Sequence, residues 1–254
     1  MIGIFDSGVG GLSVFREIKK ILPEQSYVYF SDNAHCPYGE KGREYIIDRA
    51  REITRFLLDK GCEIIVVACN TATAAAISTL REEFPVKFIG MEPAIKPAAQ
   101  CTRTGVVGVL ATAGTLKATK YLDNREKWAQ DVRIVEHIGQ GFVELVESGT
   151  VSGPEAEATV RTSLMPLLEA GADTIVLGCT HYPFLSETIS KVAGESFPER
   201  SIEIIDPAPA VARRLQDVMK HEGITEKSPE GYSLELHSSG DHESLDRMVR
   251  LRKI

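Results

Sequence analysis

Two cysteines occupy matching places in a repeated segment of the chain. Residues 57–69 align without a gap on residues 167–179, so Cys69 corresponds to Cys179, 110 positions later. Each copy has the pattern of a helix end, a glycine turn and an apolar strand, which puts each cysteine just past the carboxyl end of a buried strand. Ligands of open α/β sheets bind at that end. Thiols placed there could act as nucleophiles, metal ligands, redox groups or acid/base groups.

Polar residues follow both cysteines. Asn70 and Thr71 come after the first, Thr180 and His181 come after the second, and the pattern predicts a helix soon after each pair. A helix N-terminus favours a thiolate, and its free N–H groups hold a carboxylate. The alternative is a pair of buried cysteines that pack as small apolar residues. Packing alone does not require a thiol at the same point of both repeats, so the matched placement favours a functional pair.

The other three cysteines lack this symmetry. Cys62 aligns with Ala172 just before a strand, which indicates packing. Cys101 lies in a polar stretch before a strand and is interpreted as incidental. Cys36 lies in the polar loop 34–39 and has no counterpart in the second repeat.

Two polar turns follow the first two predicted strands. Residues 6–11 form a glycine-rich turn, whose glycines would permit positive φ and a close backbone approach to a ligand. The turn lacks the third spaced glycine of a dinucleotide site. Asp6 suits an ammonium group or a neighbouring base in its charged form, and its alternative role is an ordinary helix N-cap. Asp32 opens the second turn and could simply cap it.

Four chemistries are candidates for the paired thiols. A disulfide oxidoreductase typically carries Cys-x-x-Cys, which the chain lacks. A zinc site made of Cys69, Cys179 and His181 matches no structural zinc spacing. A Cys–His hydrolase needs only one thiol. A proton-transfer pair uses both thiols, because one thiolate removes a proton from a carbon and the other thiol returns one from the far side.

Short apolar runs alternate with helical patterns along the chain. Strands are predicted at residues 2–5, 27–30, 64–68, 86–91, 106–110, 132–135, 174–178 and 202–205, with an added edge strand at 232–237. Helices are predicted at residues 12–22, 46–58, 73–84, 142–146, 155–170, 208–221 and 241–252. This alternation is typical of parallel sheets covered by helices on both faces.

The repeats predict an α/β fold of two pseudo-symmetric domains, each a mainly parallel sheet flanked by helices, with the active site in the cleft between them. Two shorter matches, of residues 3–7 with 108–112 and of 92–94 with 206–208, keep the same order. The first domain is expected to comprise residues 1–95 plus 208–254, because the tail should return to it. The second is expected to comprise residues 96–207.

Composition excludes several classes of protein. Hydrophobic residues make up 43% and charged residues 26%, which excludes disordered, collagen-like and coiled-coil chains. The net charge is −7 with no basic block, so nucleic-acid binding is not expected. No apolar run approaches a membrane span and no signal peptide is recognised. Unbridged cysteines then indicate a reducing cytoplasm.

The motifs resemble those of the glutamate racemases, in the cofactor-independent aspartate/glutamate racemase superfamily. The matching segments are GIFDSGVGG at residues 3–11, PYG at 37–39, ACNTA at 68–72 and GCTHY at 178–182, and the similarity spans almost the whole chain. Aspartate racemases share the two-cysteine plan but usually carry an acidic residue where this chain has His181. The resemblance therefore favours glutamate as the substrate.

The resemblance also implies residue roles. Cys69 and Cys179 would be the catalytic acid/bases, acting on the D- and L-enantiomer respectively. Asp6 would assist the first cysteine, and His181 with Glu147 would assist the second, although Glu144 lies on the same helical face as Glu147. The residues expected to hold the charged groups of the substrate are Asp6, Ser7, Tyr38, Gly39, Asn70, Thr71, Thr112, Thr115, Thr180 and His181.

The implied protein is a homodimeric cytoplasmic enzyme that needs no cofactor or metal and supplies D-glutamate for peptidoglycan. One alternative is a racemase or isomerase of the same superfamily that acts on aspartate or a related acid. The other is a non-catalytic amino-acid-binding regulatory protein.

Overall fold

The structure, a computed structural model, describes residues 1–229 and 231–252. It divides into two compact units, one formed by Met1–Met91 with the chain from Ala208 onward and the other by residues 92–207. The sequence suggests domain boundaries after residues 95 and 207. Glu230, Lys253 and Ile254, which the expected first domain includes, lie outside the described residues.

The first unit contains five strands and five α-helices within the described residues. They are β1 (Ile2–Asp6), α1 (Leu12–Ile21), β2 (Ser26–Ser31), α2 (Arg43–Asp59), β3 (Ile64–Val67), α3 (Asn70–Glu83), β4 (Lys87–Gly90), α10 (Ala208–Glu222), β9 (Ser233–Ser238) and α11 (Glu243–Arg252). Two 3₁₀ turns, Asn33–His35 and Tyr38–Glu40, lie between β2 and α2.

The second unit contains four strands and six α-helices within the described residues. They are α4 (Ile95–Cys101), β5 (Val106–Ala111), α5 (Ala113–Leu116), α6 (Thr119–Trp128), β6 (Arg133–Ile138), α7 (Phe142–Ser148), α8 (Pro154–Glu169), β7 (Thr174–Gly178), α9 (Ser186–Ser196) and β8 (Glu203–Ile205). A 3₁₀ turn, Tyr182–Leu185, leads from β7 to α9.

Both sheets are parallel and share one strand order. The first runs β4-β3-β1-β2-β9 and the second runs β6-β5-β7-β8, so the strands that the repeat relates take equivalent places and β9 is the addition. The central strands β1, β3 and β7 are buried along their whole length. Such strands appear in a sequence as continuous apolar runs, which is why they were predictable. The α/β fold with mainly parallel sheets is confirmed.

Two glycines mark the same tight contact in both units. A Cβ on Gly3 of β1 would lie 3.1 Å from Leu57 Cδ1, and one on Gly108 of β5 would lie 3.1 Å from Leu167 Cδ1. These four residues are related by the repeat. In each unit a helix leucine therefore packs directly onto the backbone of the central strand.

The chain from Ala208 onward completes the first unit. β9 pairs in parallel with β2 along six residues, from Ser26↔Ser233 to Ser31↔Ser238, and so forms an edge strand as predicted. In α10, which lies beside α1 and β4, Leu215 and Met219 are fully buried. The tail is thus part of the core of this unit.

Three helices were not predicted, for local reasons. α4 carries Pro97 near its start, the four-residue α5 contains Gly114, and α6 buries only Tyr121 among its ten residues. Proline and glycine weaken helical patterns, and a polar helix shows no apolar period. Within the described residues, no helix combines the length and the apolar character that crossing a membrane requires.

Candidate active site

Cys69 lies where β3 ends and α3 begins. Its sulfur caps the helix by accepting a hydrogen bond from Ala72 N at 3.4 Å, and its thiol donates to Ser7 Oγ at 3.8 Å. The N–H donor and the helix dipole both favour negative charge on the sulfur. α3 begins three residues earlier than predicted because cysteine, an unusual N-cap residue, starts it.

Asp6 ends β1, the neighbour of β3 in the sheet. Its buried carboxylate accepts a hydrogen bond from Gly11 N at 2.7 Å, at the start of α1. Gly11 has φ −60°, so positive φ is not the reason for this glycine, contrary to the prediction. The reason is space, because a Cβ would lie 2.7 Å from both Asp6 Cβ and Tyr29 Oη.

Asn70 and Thr71 form the first turn of α3 beside Cys69, and both side chains are buried. Among the described residues, neither the amide oxygen nor the amide nitrogen of Asn70 has a hydrogen-bond partner. A buried polar group without a partner costs about 1–3 kcal/mol and therefore calls for an explanation. A polar ligand at the carboxyl end of β3 would supply the missing partners.

The loop after β2 carries Tyr38 and Gly39. Tyr38 is buried, and its hydroxyl donates a short hydrogen bond to the Asp32 carboxylate. Burial and the nearby charges of Asp32 and Cys69 raise the pKa of Tyr38 well above its ordinary value, so the phenol stays protonated. Gly39 lies in the 3₁₀ turn that Tyr38 begins.

Cys179 follows β7 in the second unit, at the place equivalent to Cys69. Its sulfur lies 3.7 Å from His181 Nδ1, and His181 Nε2 lies 2.7 Å from Glu147 Oε1. A carboxylate on Nε2 fixes the proton of a neutral imidazole there, which leaves the Nδ1 lone pair directed at the thiol. The structure thus brings together three of the predicted catalytic residues as a Cys–His–Glu chain.

Aromatic packing holds the helix that carries Glu147. The rings of Phe142 on α7 and Tyr182 stack edge to face with centroids 4.9 Å apart, and Tyr182 also donates to Gly139 O at 3.3 Å. A Cβ on Gly139 would lie 2.5 Å from the Tyr182 hydroxyl, so only glycine fits. Glu144, three residues from Glu147, is exposed.

The two cysteines differ in their local surroundings. A 3₁₀ turn follows Thr180 and His181, and α9 begins after it at Ser186, so the helix predicted soon after this pair is present but does not start beside the sulfur. Pro183 in this turn has no N–H to donate, which fits a short 3₁₀ segment. A helix N-terminus accompanies one sulfur, and an imidazole accompanies the other.

The remaining predicted ligand residues also lie at strand ends. Ala111 is the register partner of Gly178, so Thr112 and Cys179 follow neighbouring strands side by side. Thr112 caps α5 by accepting from Thr115 N, and the two hydroxyls lie 3.0 Å apart. Thr180 is buried next to Cys179.

Comparison with known proteins finds similarity to racemases along most of the chain. Residues 2–215 match the family described as Asp/Glu/Hydantoin racemase. A protein of Ectopseudomonas mendocina named glutamate racemase is 45% identical over 251 residues, which cover 98% of this chain and 93% of the relative. The chain belongs to this racemase family.

Solved structures of glutamate racemases have the same fold as this chain. The Escherichia coli enzyme, solved with L-glutamate and the activator UDP-MurNAc-Ala, has a TM-score of 0.85 at 33% identity, over 99% of this chain and 93% of that one. The Francisella tularensis enzyme, solved with D-glutamate, has a TM-score of 0.83 at 26% identity, over 98% and 92%.

Two further residues lie near the predicted site without having been predicted as part of it. The sequence predicts no more than a turn cap for Asp32 and no role for Arg49, yet both lie at the base of the loop that carries Tyr38. Arg49 is one of several arginines on α2, and nothing in its spacing marks its partner, which lies 17 residues away.

Proposed function

We propose that this chain is a glutamate racemase, which interconverts L- and D-glutamate by proton transfer at the α carbon. The observation that carries the proposal is a thiol outside any disulfide, with an acid/base or donor partner, at the equivalent strand end of each unit. The relatives named glutamate racemase, and the solved enzymes with L- and D-glutamate, support the substrate.

The proposed reaction uses both thiols on one substrate. Starting from D-glutamate, the Cys69 thiolate takes the α proton, and the Cys179 thiol gives a proton to the opposite face of the carbon. The product is L-glutamate, with Cys69 now a thiol and Cys179 a thiolate. The reverse reaction starts from that state, so proton, charge and electron count balance over a complete cycle.

The neighbours of each sulfur suit this exchange. For Cys179, the imidazole of His181 lies within reach of the sulfur and Glu147 stabilises any positive charge on the ring, so the thiolate form gains a counter-charge. For Cys69, the Ala72 N–H provides the donor. Buried polar groups such as Asn70 would hold the substrate and stabilise charge that develops in the transition state.

A Cys–His hydrolase is the second reading, because Cys179, His181 and Glu147 alone form a nucleophile–base–orienter chain. It leaves Cys69, at the equivalent position of the other unit, without a role. Two acid/base thiols account for the duplication, and one nucleophile does not.

Solvent-deuterium exchange tests the proposal. Wild type incubated with either enantiomer in D₂O should incorporate deuterium at the α carbon and racemise it, as followed by NMR and circular dichroism. Cys69→Ser and Cys179→Ser should each lower racemisation by orders of magnitude while keeping the native circular dichroism of the protein. Near-wild-type turnover in either variant would exclude the two-thiol mechanism.

The same assay separates the alternatives. Faster turnover of L-aspartate than of L-glutamate would indicate an aspartate racemase. Binding of glutamate without any exchange would indicate a regulatory protein.

The physiological part of the proposal follows from the family resemblance. A cytoplasmic homodimer would supply D-glutamate for peptidoglycan, in a compartment whose reducing conditions keep both cysteines as thiols. Depletion of the protein should make cells depend on added D-glutamate. Sedimentation equilibrium of the purified chain tests the dimer.

A further inference from the structure

A buried carboxylate stands at the base of the loop that carries Tyr38 and Gly39. Asp32 is fully buried where β2 ends. Its Oδ1 accepts from Arg49 Nη2 at 2.8 Å and lies 2.9 Å from His35 Nδ1, and its Oδ2 accepts from Arg49 Nε at 3.0 Å and from the Tyr38 hydroxyl. The contact with Arg49 is a bidentate fork, the strongest geometry for such a pair.

Asp32 has no capacity left for a ligand. A carboxylate offers about four acceptor positions, and these donors occupy them. Burial acts to raise the pKa of Asp32, but hydrogen bonds from Arg49, Tyr38 and His35 outweigh it and hold the pKa below the ordinary value. The group is therefore an anion that organises the loop around itself rather than a contact for a substrate ammonium.

The loop is tied at its start as well. The backbone N–H of Asp32 donates to Asp6 O at 2.9 Å, at the end of β1. Asn33 is held by the tail of the same unit, because its side-chain oxygen accepts from Ser238 Oγ and Gly240 N and its nitrogen donates to Asp241 O.

Tyr38, in this loop, lies close enough to Cys69 for a charge on the sulfur to raise the pKa of the phenol. Tyr38 and Cys69 belong to the same cluster of buried residues, together with Ala72 and Ala76 of α3. The single phenolic proton of Tyr38 is committed to Asp32. The position of the tyrosine, and with it the backbone of Tyr38 and Gly39, therefore depends on the carboxylate.

We propose that Asp32, fixed by Arg49, positions the Tyr38–Gly39 segment against Cys69 and so sets how tightly the site holds its amino-acid substrate. This inference rests on the proposed racemase function. Asp32 and Arg49 are positioning residues that act through Tyr38, and neither takes part in the proton transfer.

A matched control is available in the second unit. Asp173 is likewise buried and anchors a turn, by accepting from Thr102 Oγ1 at 2.5 Å, Arg103 N at 2.8 Å and Thr104 N at 3.0 Å. It precedes β7, so it lies at the opposite end of that strand from Cys179. Asp173→Asn removes the same buried charge as Asp32→Asn without touching the residues around either cysteine.

The test compares Asp32→Asn and Arg49→Lys with Asp173→Asn in racemisation of both enantiomers. Misplacing a positioning group by about 1 Å costs on the order of 100-fold, so kcat/KM should fall by roughly that factor in Asp32→Asn, chiefly through a higher KM. Arg49→Lys keeps the positive charge but cannot form the bidentate contact, so its kcat/KM should fall by about tenfold. Asp173→Asn should keep the wild-type KM even if its thermal stability falls as much as that of Asp32→Asn.

The outcomes are distinguishable. Wild-type KM in both Asp32→Asn and Arg49→Lys, or an equal rise of KM in Asp173→Asn, overturns the inference while the racemase function stands. Should Asp32→Asn fail to fold, Arg49→Lys decides alone. If wild type shows no glutamate binding by calorimetry and no exchange of the glutamate α proton with solvent, the proposed function is wrong. This inference then falls with it.

Discussion

Glu147 and Glu144 lie three residues apart on α7, but only Glu147 reaches His181. Glu147→Gln replaces the anion beside the imidazole with a neutral group. The ring is then held less firmly in its orientation, and a positive charge on it is less stabilised. We expect racemisation to fall by about 10- to 100-fold, less than the roughly 10²–10⁴-fold that general acid–base catalysis contributes, because Glu147 acts through His181 rather than on the substrate. The measurement is kcat for both enantiomers. Glu144→Gln, on the exposed side, should retain wild-type kcat, and an equal loss in both variants would refute the role of Glu147.

Cys62 is a buried thiol outside the proposed reaction. Burial raises its pKa to about 12, so the folded protein keeps this thiol protonated where an unfolded chain ionises it. Stability from this group is therefore present below the ordinary thiol pKa and is lost as pH rises above it. Ala172 occupies the equivalent place of the second unit, so Cys62→Ala is a tolerable change.

Urea unfolding at pH 8 and pH 10 tests this behaviour. Between the two values, wild type should lose about 1 kcal/mol more than Cys62→Ala, since one pKa unit corresponds to about 1.4 kcal/mol. Cys101→Ala is the control, because Cys101 is exposed and should leave the pH dependence unchanged. Equal losses in wild type and Cys62→Ala would contradict the assignment.

At the scale of elements, the candidate catalytic residues follow the carboxyl ends of the strands, at one edge of each sheet. Buried parallel strands such as β3 and β7 were predictable because they are continuous apolar runs, and the repeat placed a cysteine after each. The start of α3 was not predictable, because a thiol rather than a hydroxyl or carboxylate caps it. Helices with a polar surface, such as α6, left no period to recognise.

Within the candidate site, only residues that lie in or near the recognised motifs were predictable from the sequence. The matched cysteines and their neighbours follow from the repeat and the family resemblance, and the structure brings His181 and Glu147 together. The contact between Asp32 and Arg49 joins a loop to a helix face. No periodicity encodes such a contact, so only the folded structure reveals it.

Asp173 ties the turn before β5 to the start of β7. Burial acts to raise its pKa, but the hydrogen bonds from the Thr102 hydroxyl and from the backbone of Arg103 and Thr104 outweigh it and lower the pKa. A lowered folded-state pKa means that stability is present above the ordinary Asp pKa and is lost as pH falls through the folded value. Asp173→Asn should therefore be less stable than wild type near pH 7, with the difference shrinking below about pH 4.

Thermal unfolding across this pH range measures the effect. Glu144→Gln serves as the control, because its exposed carboxylate should leave the acid dependence close to that of wild type. A constant difference between Asp173→Asn and wild type from pH 7 to pH 3 would exclude Asp173 as the source.

At the scale of the whole molecule, the two units differ in how the chain builds them. The second is one continuous segment, Glu92–Pro207, with its own cluster of buried residues that includes Val107, Tyr121 and Val176. The first is interrupted, since β9 and α10 come from the chain after Ala208. The repeat therefore explains the four equivalent strands of each sheet. The chain after Ala208 adds a fifth strand, β9, to the first sheet.

This difference predicts how fragments behave. Residues 92–207, 116 residues counted inclusively, fall within the common size of single domains, about 100–150 residues. The fragment should fold by itself, with the circular dichroism of an α/β protein and one cooperative urea transition. Residues 1–91 should not, because they lack α10, whose Leu215 and Met219 are fully buried in the complete unit, and leave β2 without its partner β9.

Fusing residues 208–254 to the end of 1–91 through a flexible linker is the matched rescue, and it should restore a cooperative transition. Under the proposed two-thiol mechanism, neither isolated unit should racemise glutamate, because each contains only one of Cys69 and Cys179. A fragment 92–207 that remains unfolded would show that its sheet depends on the rest of the chain. Racemisation by a single unit would show instead that one thiol suffices, which the duplication of Cys69 and Cys179 argues against.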